Sequence, residues 1–189
     1  NSDYLKLLRR QCVFDYCAIN LSYLEESYSF NTPPFYSELK PKREKEIDIL
    51  FVGSINEYRI NSLKKLKEEG ININPKFNIL GNNLYQAIDG AKIYLNLDLD
   101  KKSTFNEYRF MSCALTNTLF AGHSGNIKYY PNAEKLVGLS IFKNEKETIE
   151  GVKNLLSNNS YMQSAFTAQY KYAHENRKRF ELFIRHHFY

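Results

Sequence analysis

The chain has 189 residues, of which 43% are hydrophobic and 25% are charged, and its formal net charge is +5. These values describe one ordinary globular domain with, at most, an additional segment, and they exclude a disordered, collagen-like or disulfide-rich chain. No apolar run approaches the roughly 20 residues of a membrane-spanning helix. No signal peptide is recognisable, so we expect a cytoplasmic protein. The three cysteines lack CxxC spacing, which predicts neither a disulfide framework nor a zinc site.

Residues 1–45 are predicted to form an N-terminal segment and a linker. The stretch "CVFDYCAI", residues 12–19, has the composition of a single strand. The following "NTPPFY" is predicted to be extended, because a proline restricts the residue before it. The charged stretch 37–46 has no apolar periodicity and is predicted to be the linker.

Short apolar runs alternate with amphipathic segments over residues 46–159. The predicted strands are 47–54, 71–80 (interrupted by Pro75), 92–99, 117–121 and 136–142, and the predicted helices are 56–70, 82–91, 104–115 and 144–158. Strands and helices that alternate at this spacing favour β-α-β crossovers, hence a parallel sheet of five or six strands covered on both faces. The predicted fold class is therefore α/β, a doubly wound Rossmann-like domain.

Residues 160–189 are predicted to be a C-terminal helical tail. The segment 171–189 is basic, but it carries no nucleic-acid-binding motif, so a solvated helix face explains it better than nucleic-acid binding. Phe180 and Phe183 lie in this tail. Because clustered aromatic side chains rarely stay in water, we expect both to be buried against the N-terminal segment or a partner chain.

Ligands of doubly wound sheets bind at the carboxyl ends of the strands, near helix N-termini. After the first predicted strand, Gly53 lets the backbone approach a ligand and Arg59 is placed to reach a phosphate, although the GxGxxG pattern is absent. After the third, Asn96 faces the same edge. Asp98 and Asp100 follow it, either as ligands of a sugar hydroxyl or as ordinary loop residues.

The third place is the first turn of the helix 104–115, where Asn106, Glu107 and Arg109 are crowded together. A cation there opposes the helix dipole unless an anion compensates for it. A bound diphosphate and a neighbouring carboxylate are alternative explanations for Arg109. His123 follows a strand end and is the only histidine well placed for catalysis, but an exposed loop residue is the favoured interpretation. The sequence assigns no catalytic base.

Three stretches resemble the C-terminal, nucleotide-sugar-binding half of GT-B glycosyltransferases: "DILFVGSINEYRINSLKKLKEEGININ", "AKIYLNLDL" and "NEYRFMSCALTNTLFAG". The most similar group contains CgeB-like proteins and related enzymes of bacteria and large DNA viruses. The resemblance covers about residues 30–160. It implies a UDP- or GDP-sugar as donor substrate, with no further cofactor and no metal.

The same resemblance implies roles for individual residues. Gly53 would lie under the diphosphate, Asn96 would end a strand facing the cleft, and Arg109 would match the arginine of the helix beside the donor. Together with Arg59, Asn106 and Glu107, these residues form the predicted donor-binding set.

Two departures from the family keep a second function open. Family members commonly carry a glutamate close to the arginine. They also often carry a carboxylate after the next strand, and this chain has Gly122 and His123 at that place. A GT-B enzyme also has two Rossmann lobes, whereas this sequence accounts for one. The chain is therefore predicted to be a glycosyltransferase-type domain that acts with an N-terminal lobe or another protein. The alternative is an inactive, Rossmann-like protein-interaction module derived from a glycosyltransferase.

Overall fold

The computed structural model describes residues 44–98, 105–123, 127 and 133–188, and before them residues 3, 6, 8, 13–15, 24 and 29–31. The chain divides into two compact units, one made of Asn1–Tyr36 with His174–Tyr189 and the other of Ser37–Ala173. In the first unit, strands β1 (Val13–Asp15) and β2 (Ser29–Asn31) pair in parallel. The predicted domain boundaries after residues 45 and 159 stay predictions.

A five-stranded parallel sheet forms the second unit and confirms the predicted fold class. Its strands are β3 (Ile47–Val52), β4 (Asn74–Lys76), β5 (Ala91–Asn96), β6 (Leu119–His123) and β7 (Ile141–Phe142). Their order is β4-β3-β5-β6-β7, and each neighbouring pair is parallel. The direction of winding reverses between β3 and β5, because the chain goes outward from β3 to β4 and then returns to the other side. This switch point is where doubly wound sheets form their ligand crevice.

The described helices are α1 (Glu57–Glu68), α2 (Gly81–Asp89), α3 (Glu107–Leu115), α4 (Glu145–Ser157) and α5 (Asn159–Phe188). Asn56, Asn106 and Asn144 begin α1, α3 and α4, and each side chain accepts a hydrogen bond from the backbone N–H three residues later. This bond satisfies an N–H group that has no partner inside the helix. Asn56 confirms the predicted start of α1.

The two faces of the sheet bury different sets of side chains, since alternate residues of a strand point to opposite faces. One face packs against Leu66 of α1 and against Val152 and Leu155 of α4; its strand residues are Ile49, Phe51, Ile93, Leu95, Leu119 and Ala121. The other face is aromatic. The Phe120 ring lies 6.0 Å from Tyr94 and 5.5 Å from Phe110 of α3. Helices therefore cover both faces, as a parallel sheet requires.

Gln169 of α5 completes the hydrogen bonding of β6. Its Oε1 accepts from the Phe120 N–H at 2.8 Å, and its Nε2 donates to the Thr118 carbonyl at 2.7 Å. Strand β7 pairs with β6 only at Gly122 and His123. The buried amide thus satisfies backbone groups that β7 does not reach.

Lys45 closes the opposite, amino-terminal edge of the sheet. Its Nζ donates to the carbonyls of Asp89 and Thr116 and to Thr118 Oγ1 at 2.7–2.9 Å. Asp89 and Thr116 lie at the carboxyl ends of α2 and α3, where unpaired carbonyls and the negative end of the dipole favour a cation. Burial lowers the pKa of this ammonium group.

Several predicted elements are wrong in extent. Strand β4 is limited to Asn74–Lys76, because Pro75 has no N–H to donate and Asn78, with φ of 55°, turns the chain. The predicted strand 136–142 is a 3-10 turn over Ala133–Leu136, a bend at Gly138 and the two residues of β7. By contrast, the helical tail predicted after residue 160 is confirmed, as the single helix α5.

Some predictions concern residues outside the described ranges. Residues 37–43 of the predicted linker, residues 32–36 of the stretch "NTPPFY", Asp100 and two of the cysteines, Cys12 and Cys17, lie outside the described residues. Asn31, the first residue of that stretch, ends β2. Phe180 and Phe183 are half-buried and belong to the same compact unit as Asn1–Tyr36. Their predicted burial against the N-terminal segment stays a prediction.

Candidate functional site

The carboxyl ends of β3, β5 and β6 are neighbours and carry the polar groups of the candidate site. Strand β3 ends at Val52 and leads into Gly53, β5 ends at Asn96, and β6 ends at His123. Helix α1 begins a few residues after β3. Because this edge includes the switch point, it is the place where the fold favours a ligand.

Arg59 of α1 occupies the switch point. Its Nε and Nη2 donate to the Leu97 carbonyl at 3.0 and 2.7 Å, and its Nη1 donates to the Ser54 carbonyl at 2.9 Å. The residue is 8% exposed. Gly53 leaves room for it, since a Cβ at that position would lie 3.0 Å from Nη1. Arg59 therefore ties the segment after β5 to the segment after β3, and Gly53 accommodates that contact.

Arg109 reaches the same edge from α3. Its Nη1 donates to the Val52 carbonyl at 3.1 Å, and that oxygen also accepts from the Tyr94 hydroxyl at 3.0 Å. This geometry confirms the prediction that Arg109 faces the carboxyl edge of the sheet. Within the described ranges, neither Arg109 nor Arg59 forms an ion pair with a carboxylate.

The two guanidinium groups influence each other and their surroundings. Burial lowers the pKa of Arg59, and the positive charge of Arg109 lowers it further. Burial also raises the pKa of Tyr94 to about 12, although Arg109 opposes this effect. Arginines that repel each other beside a crevice favour a ligand with several negative charges.

Asn106 and Glu107, two further residues of the predicted set, also have contacts inside the fold. Asn106 Oδ1 accepts from the backbone N–H of Arg109 at 3.0 Å and so begins α3. Glu107 is 4% exposed, and its carboxylate accepts from the Tyr172 hydroxyl of α5 at 2.9 Å. The Tyr172 ring packs 5.1 Å from Phe110. The structure thus places the Glu107 carboxylate beside the aromatic core.

A second polar cluster joins the ends of β5 and β6. Asn96 Nδ2 donates to Asp98 Oδ1 at 3.2 Å and to the His123 carbonyl at 3.0 Å. Asp98 Oδ2 lies 3.5 Å from His123 Nδ1, and the two side chains are 3% and 18% exposed. The interpretation of His123 as an exposed loop residue is therefore wrong, since His123 is the last residue of β6 and its imidazole is mostly buried.

Gly122 makes this close approach possible. Its φ is 142°, and a Cβ at that position would lie 2.0 Å from the Asn96 carbonyl oxygen. A side chain larger than hydrogen does not fit there. Gly122 therefore holds the end of β6 against the end of β5, with His123 next in the chain.

The sequence predicted the edge but not that Asp98 and His123 lie together there. Each follows an apolar run, and a single sequence does not show which strand ends become neighbours. The available signal was that both lie directly at strand ends. Parallel strands that pair bring those ends to the same edge.

The fold is that of the Rossmann-like lobe of a GT-B glycosyltransferase. The chain is similar in structure to a DNA-modifying β-glucosyltransferase, solved in the presence and absence of uridine diphosphoglucose, with a TM-score of 0.55 and 14% identity. The likeness covers 88% of this chain and 64% of that one, so this chain spans less than two thirds of that enzyme's length.

An α1,3-fucosyltransferase is also similar, with a TM-score of 0.45 and 14% identity over 78% of this chain and 41% of its own. No protein-family model matches the sequence, and no curated protein matches it by sequence. The structural likeness to the β-glucosyltransferase, at 14% identity, shows the fold alone, so the activity has to be argued from the site.

Two further observations concern the described part of the chain. It contains no group of three or more His, Cys, Asp or Glu side chains that could hold a metal ion. None of its helices combines the length and the apolar character needed to cross a membrane.

Proposed function

We propose that the carboxyl edge at β3 and β5 binds the diphosphate of a nucleotide-sugar donor. In this proposal the chain is a glycosyltransferase-type domain that serves sugar transfer to a hydroxyl-bearing acceptor. The observation that carries the proposal is the position of the Arg109 guanidinium group at this edge. A guanidinium group has five N–H donors, and the described contacts of Arg109 involve only the Val52 carbonyl and the Tyr94 hydroxyl. The remaining donors are left for a ligand at the switch point.

Arg59 stabilises the same site through contacts with its backbone. Its hydrogen bonds to Leu97 and Ser54 hold two segments of the crevice in place. Its charge stays inside the site and adds to that of Arg109. A positive potential built from buried, immobile groups stabilises a diphosphate more than flexible surface lysines would, since water screens it less.

The fold suggests which donor to test first. The structurally similar β-glucosyltransferase was solved with uridine diphosphoglucose, so UDP-glucose precedes GDP-sugars. Membership of the narrower CgeB-like group is also part of this proposal, and the resemblance of "NEYRFMSCALTNTLFAG" to that group supports it. A cytoplasmic location and a second lobe or partner protein are further parts of it.

Isothermal titration calorimetry of the full chain with UDP, GDP, UDP-glucose and a GDP-sugar tests the proposal. Arg109→Ala is expected to weaken donor binding by about 1.5–3 kcal/mol, the usual contribution of a hydrogen bond to a charged group. Arg109→Lys keeps the charge but loses the forked geometry, so it should bind with intermediate affinity. Arg185→Ala removes an exposed arginine of α5 and is the matched control. Equal affinity of wild type and Arg109→Ala would contradict the assigned role.

One observation favours the second candidate, an interaction module without donor binding. All three side-chain nitrogens of Arg59 donate to backbone carbonyls, and Glu107 accepts a hydrogen bond from Tyr172. The positions of Arg59 and Glu107, two residues of the predicted set, are thereby explained without a ligand. Wild-type protein that binds none of the four nucleotides would support this candidate.

A further inference from the structure

We propose that a groove beside the first half of β3 binds an extended, basic peptide segment of a partner protein, which adds to the sheet as a further strand. The residues that line the groove come from the stretch before β3, from β3 itself, from the end of β4 and the loop after it, and from α2. None of them belongs to the proposed donor site, so this binding is independent of the proposed function.

Strand β4 covers only part of the edge of β3. Its three residues pair with residues 50–52, and the register begins with Leu50 opposite Asn74. In the described part of the chain, residues 47–49 of β3 therefore have a partner strand on one side only, which is β5. The backbone N–H and C=O groups of such an edge can pair with another extended chain. The first half of β3 thus meets the main requirement for strand addition.

A groove with a volume of about 580 Å³ lies beside this edge. It is lined by Ile47 of β3 and by three residues of α2, namely Asn83, Gln86 and Ala87. The three helix positions lie on one side of α2, because residues three or four apart share a helix face. The volume falls in the range of about 300–1,000 Å³ that is typical of binding pockets. The groove therefore accommodates a short extended segment between β3 and α2.

Glu44 and Glu46 give the groove a negative charge where β3 begins. Both side chains are exposed and line the groove, and neither forms an ion pair with another residue of the described ranges. Lys45 lies between them in the chain, but its Nζ is bound inside the fold by the carbonyls of Asp89 and Thr116. Two carboxylates that lack a cationic partner favour a ligand with a basic side chain.

The other end of the groove has a different character. Lys76 pairs in register with Val52, so its backbone lies about 20 Å along the strand from Glu46, at about 3.3 Å per residue. Next to it in the chain, Phe77 and Leu80 are 40% and 80% exposed. Exposed apolar side chains beside a polar groove are typical of interaction sites. We therefore expect a segment with a basic residue at one end and apolar residues toward the other.

An extended peptide fits this surface better than other macromolecules do. The backbone of β3 pairs with a chain that has its own N–H and C=O groups in the strand repeat, and a nucleic acid or a lipid surface lacks that repeat. The two glutamates also repel phosphate groups. Main-chain hydrogen bonds then supply the affinity, and the glutamates select the sequence.

The test measures the fluorescence anisotropy of labelled hexapeptides with the full chain. The basic probe is the N-acetylated amide Arg-Val-Thr-Val-Thr-Val, whose β-branched residues favour a strand, and the acidic probe has glutamate in place of arginine. The wild type is expected to bind the basic probe about tenfold more tightly than the acidic probe. The charge-reversed variant, Glu44→Lys with Glu46→Lys, should prefer the acidic probe instead.

Two controls separate the groove from net charge and the backbone from side chains. Glu68→Lys with Glu134→Lys makes the same change in net charge at exposed positions that do not line the groove, and it should keep the wild-type preference. The basic probe N-methylated at alternate backbone nitrogens lacks the donors for strand pairing, so it should bind at least about tenfold more weakly.

Equal affinity of the wild type and the charge-reversed variant for the basic probe would overturn the proposal. Undiminished binding of the N-methylated probe would also overturn it, as would a wild-type Kd above about 1 mM. A wild type that dimerises by sedimentation and becomes monomeric on charge reversal would assign the groove to a second copy of the chain instead. If the charge-reversed variant does not fold by circular dichroism, Glu44→Gln with Glu46→Gln replaces it and should abolish the preference for the basic probe.

Discussion

Arg59 and Arg109 show how one residue type takes two tasks at one edge of a sheet. Arg59 is almost completely buried, and three of its nitrogens bind backbone carbonyls. Arg109 is half-buried and touches one carbonyl at the end of β3. Both lie in a helix that begins at the ligand edge. The difference is that α1 follows the switch-point strand directly, so its arginine points into the gap between β3 and β5.

At the residue scale, Gly122→Ala should destabilise the fold strongly. The new Cβ would lie 2.0 Å from the Asn96 carbonyl oxygen at a φ of 142°, so the cost should reach about 4 kcal/mol or more, the range of severe backbone and packing conflicts. Gly138→Ala is the control. Its φ is 82° but no atom lies within 4 Å, so only the conformational cost of about 1–2 kcal/mol applies. Urea denaturation of both variants checks the difference, and equal losses would contradict it.

Tyr94 provides a residue-scale prediction for alkaline pH. Burial raises its pKa from 10.0 to about 12, so the folded state favours the protonated phenol. This contribution is fully present below pH 10 and is lost as the pH rises through about 12. Two pKa units correspond to about 3 kcal/mol. Tyrosine-selective ¹³C NMR, with Tyr94→Phe for assignment, should show a resonance that titrates last; titration near pH 10 would contradict the burial argument.

At the element scale, Gln169 is the contact that attaches α5 to β6. Gln169→Leu leaves the Phe120 N–H and the Thr118 carbonyl without partners in a buried position. We expect a loss of about 2–4 kcal/mol in the free energy of unfolding, since each unsatisfied group costs about 1–3 kcal/mol.

The control for Gln169 is the same substitution on the exposed side of the helix. Gln163→Leu should change stability by less than about 0.5 kcal/mol, as is usual for surface positions. If the two variants are equally stable by chemical denaturation, the amide does not serve as the partner of β6.

The elements that the sequence predicted well are those whose signals are local. Strand β3 is a short apolar run bounded by charge and Gly53, and Asn56 is followed by a regular apolar periodicity. Gln169 and Lys45 were not identified. Their partners lie 44 to 73 residues away along the chain, and no local pattern distinguishes them from surface residues. The region before β7 was also missed, because "LVGLSIF" has the composition of a strand while Gly138 bends it.

At the scale of the whole molecule, the rule that doubly wound sheets bind ligands at the switch point indicates the position of the candidate site. The types of the individual residues indicate it less well. Parallel strands and a reversal of winding place the ligand edge, and Arg109 lies there as predicted. The rule did not predict the contacts that Asn106 and Glu107 make inside the fold, and their predicted role in donor binding stays a prediction. One begins α3 and the other binds Tyr172, a residue 65 positions further along the chain. Contacts of that kind follow from tertiary packing, which a single sequence does not display.

The central claim is that a nucleoside diphosphate binds at the switch point beside Arg109. A crystal structure of the full chain with UDP tests this claim most directly. We expect the diphosphate to lie at the carboxyl ends of β3 and β5, with an oxygen about 2.7–2.9 Å from a guanidinium nitrogen of Arg109. A UDP molecule bound elsewhere, with Arg109 still in contact with only the Val52 carbonyl and the Tyr94 hydroxyl, would contradict it.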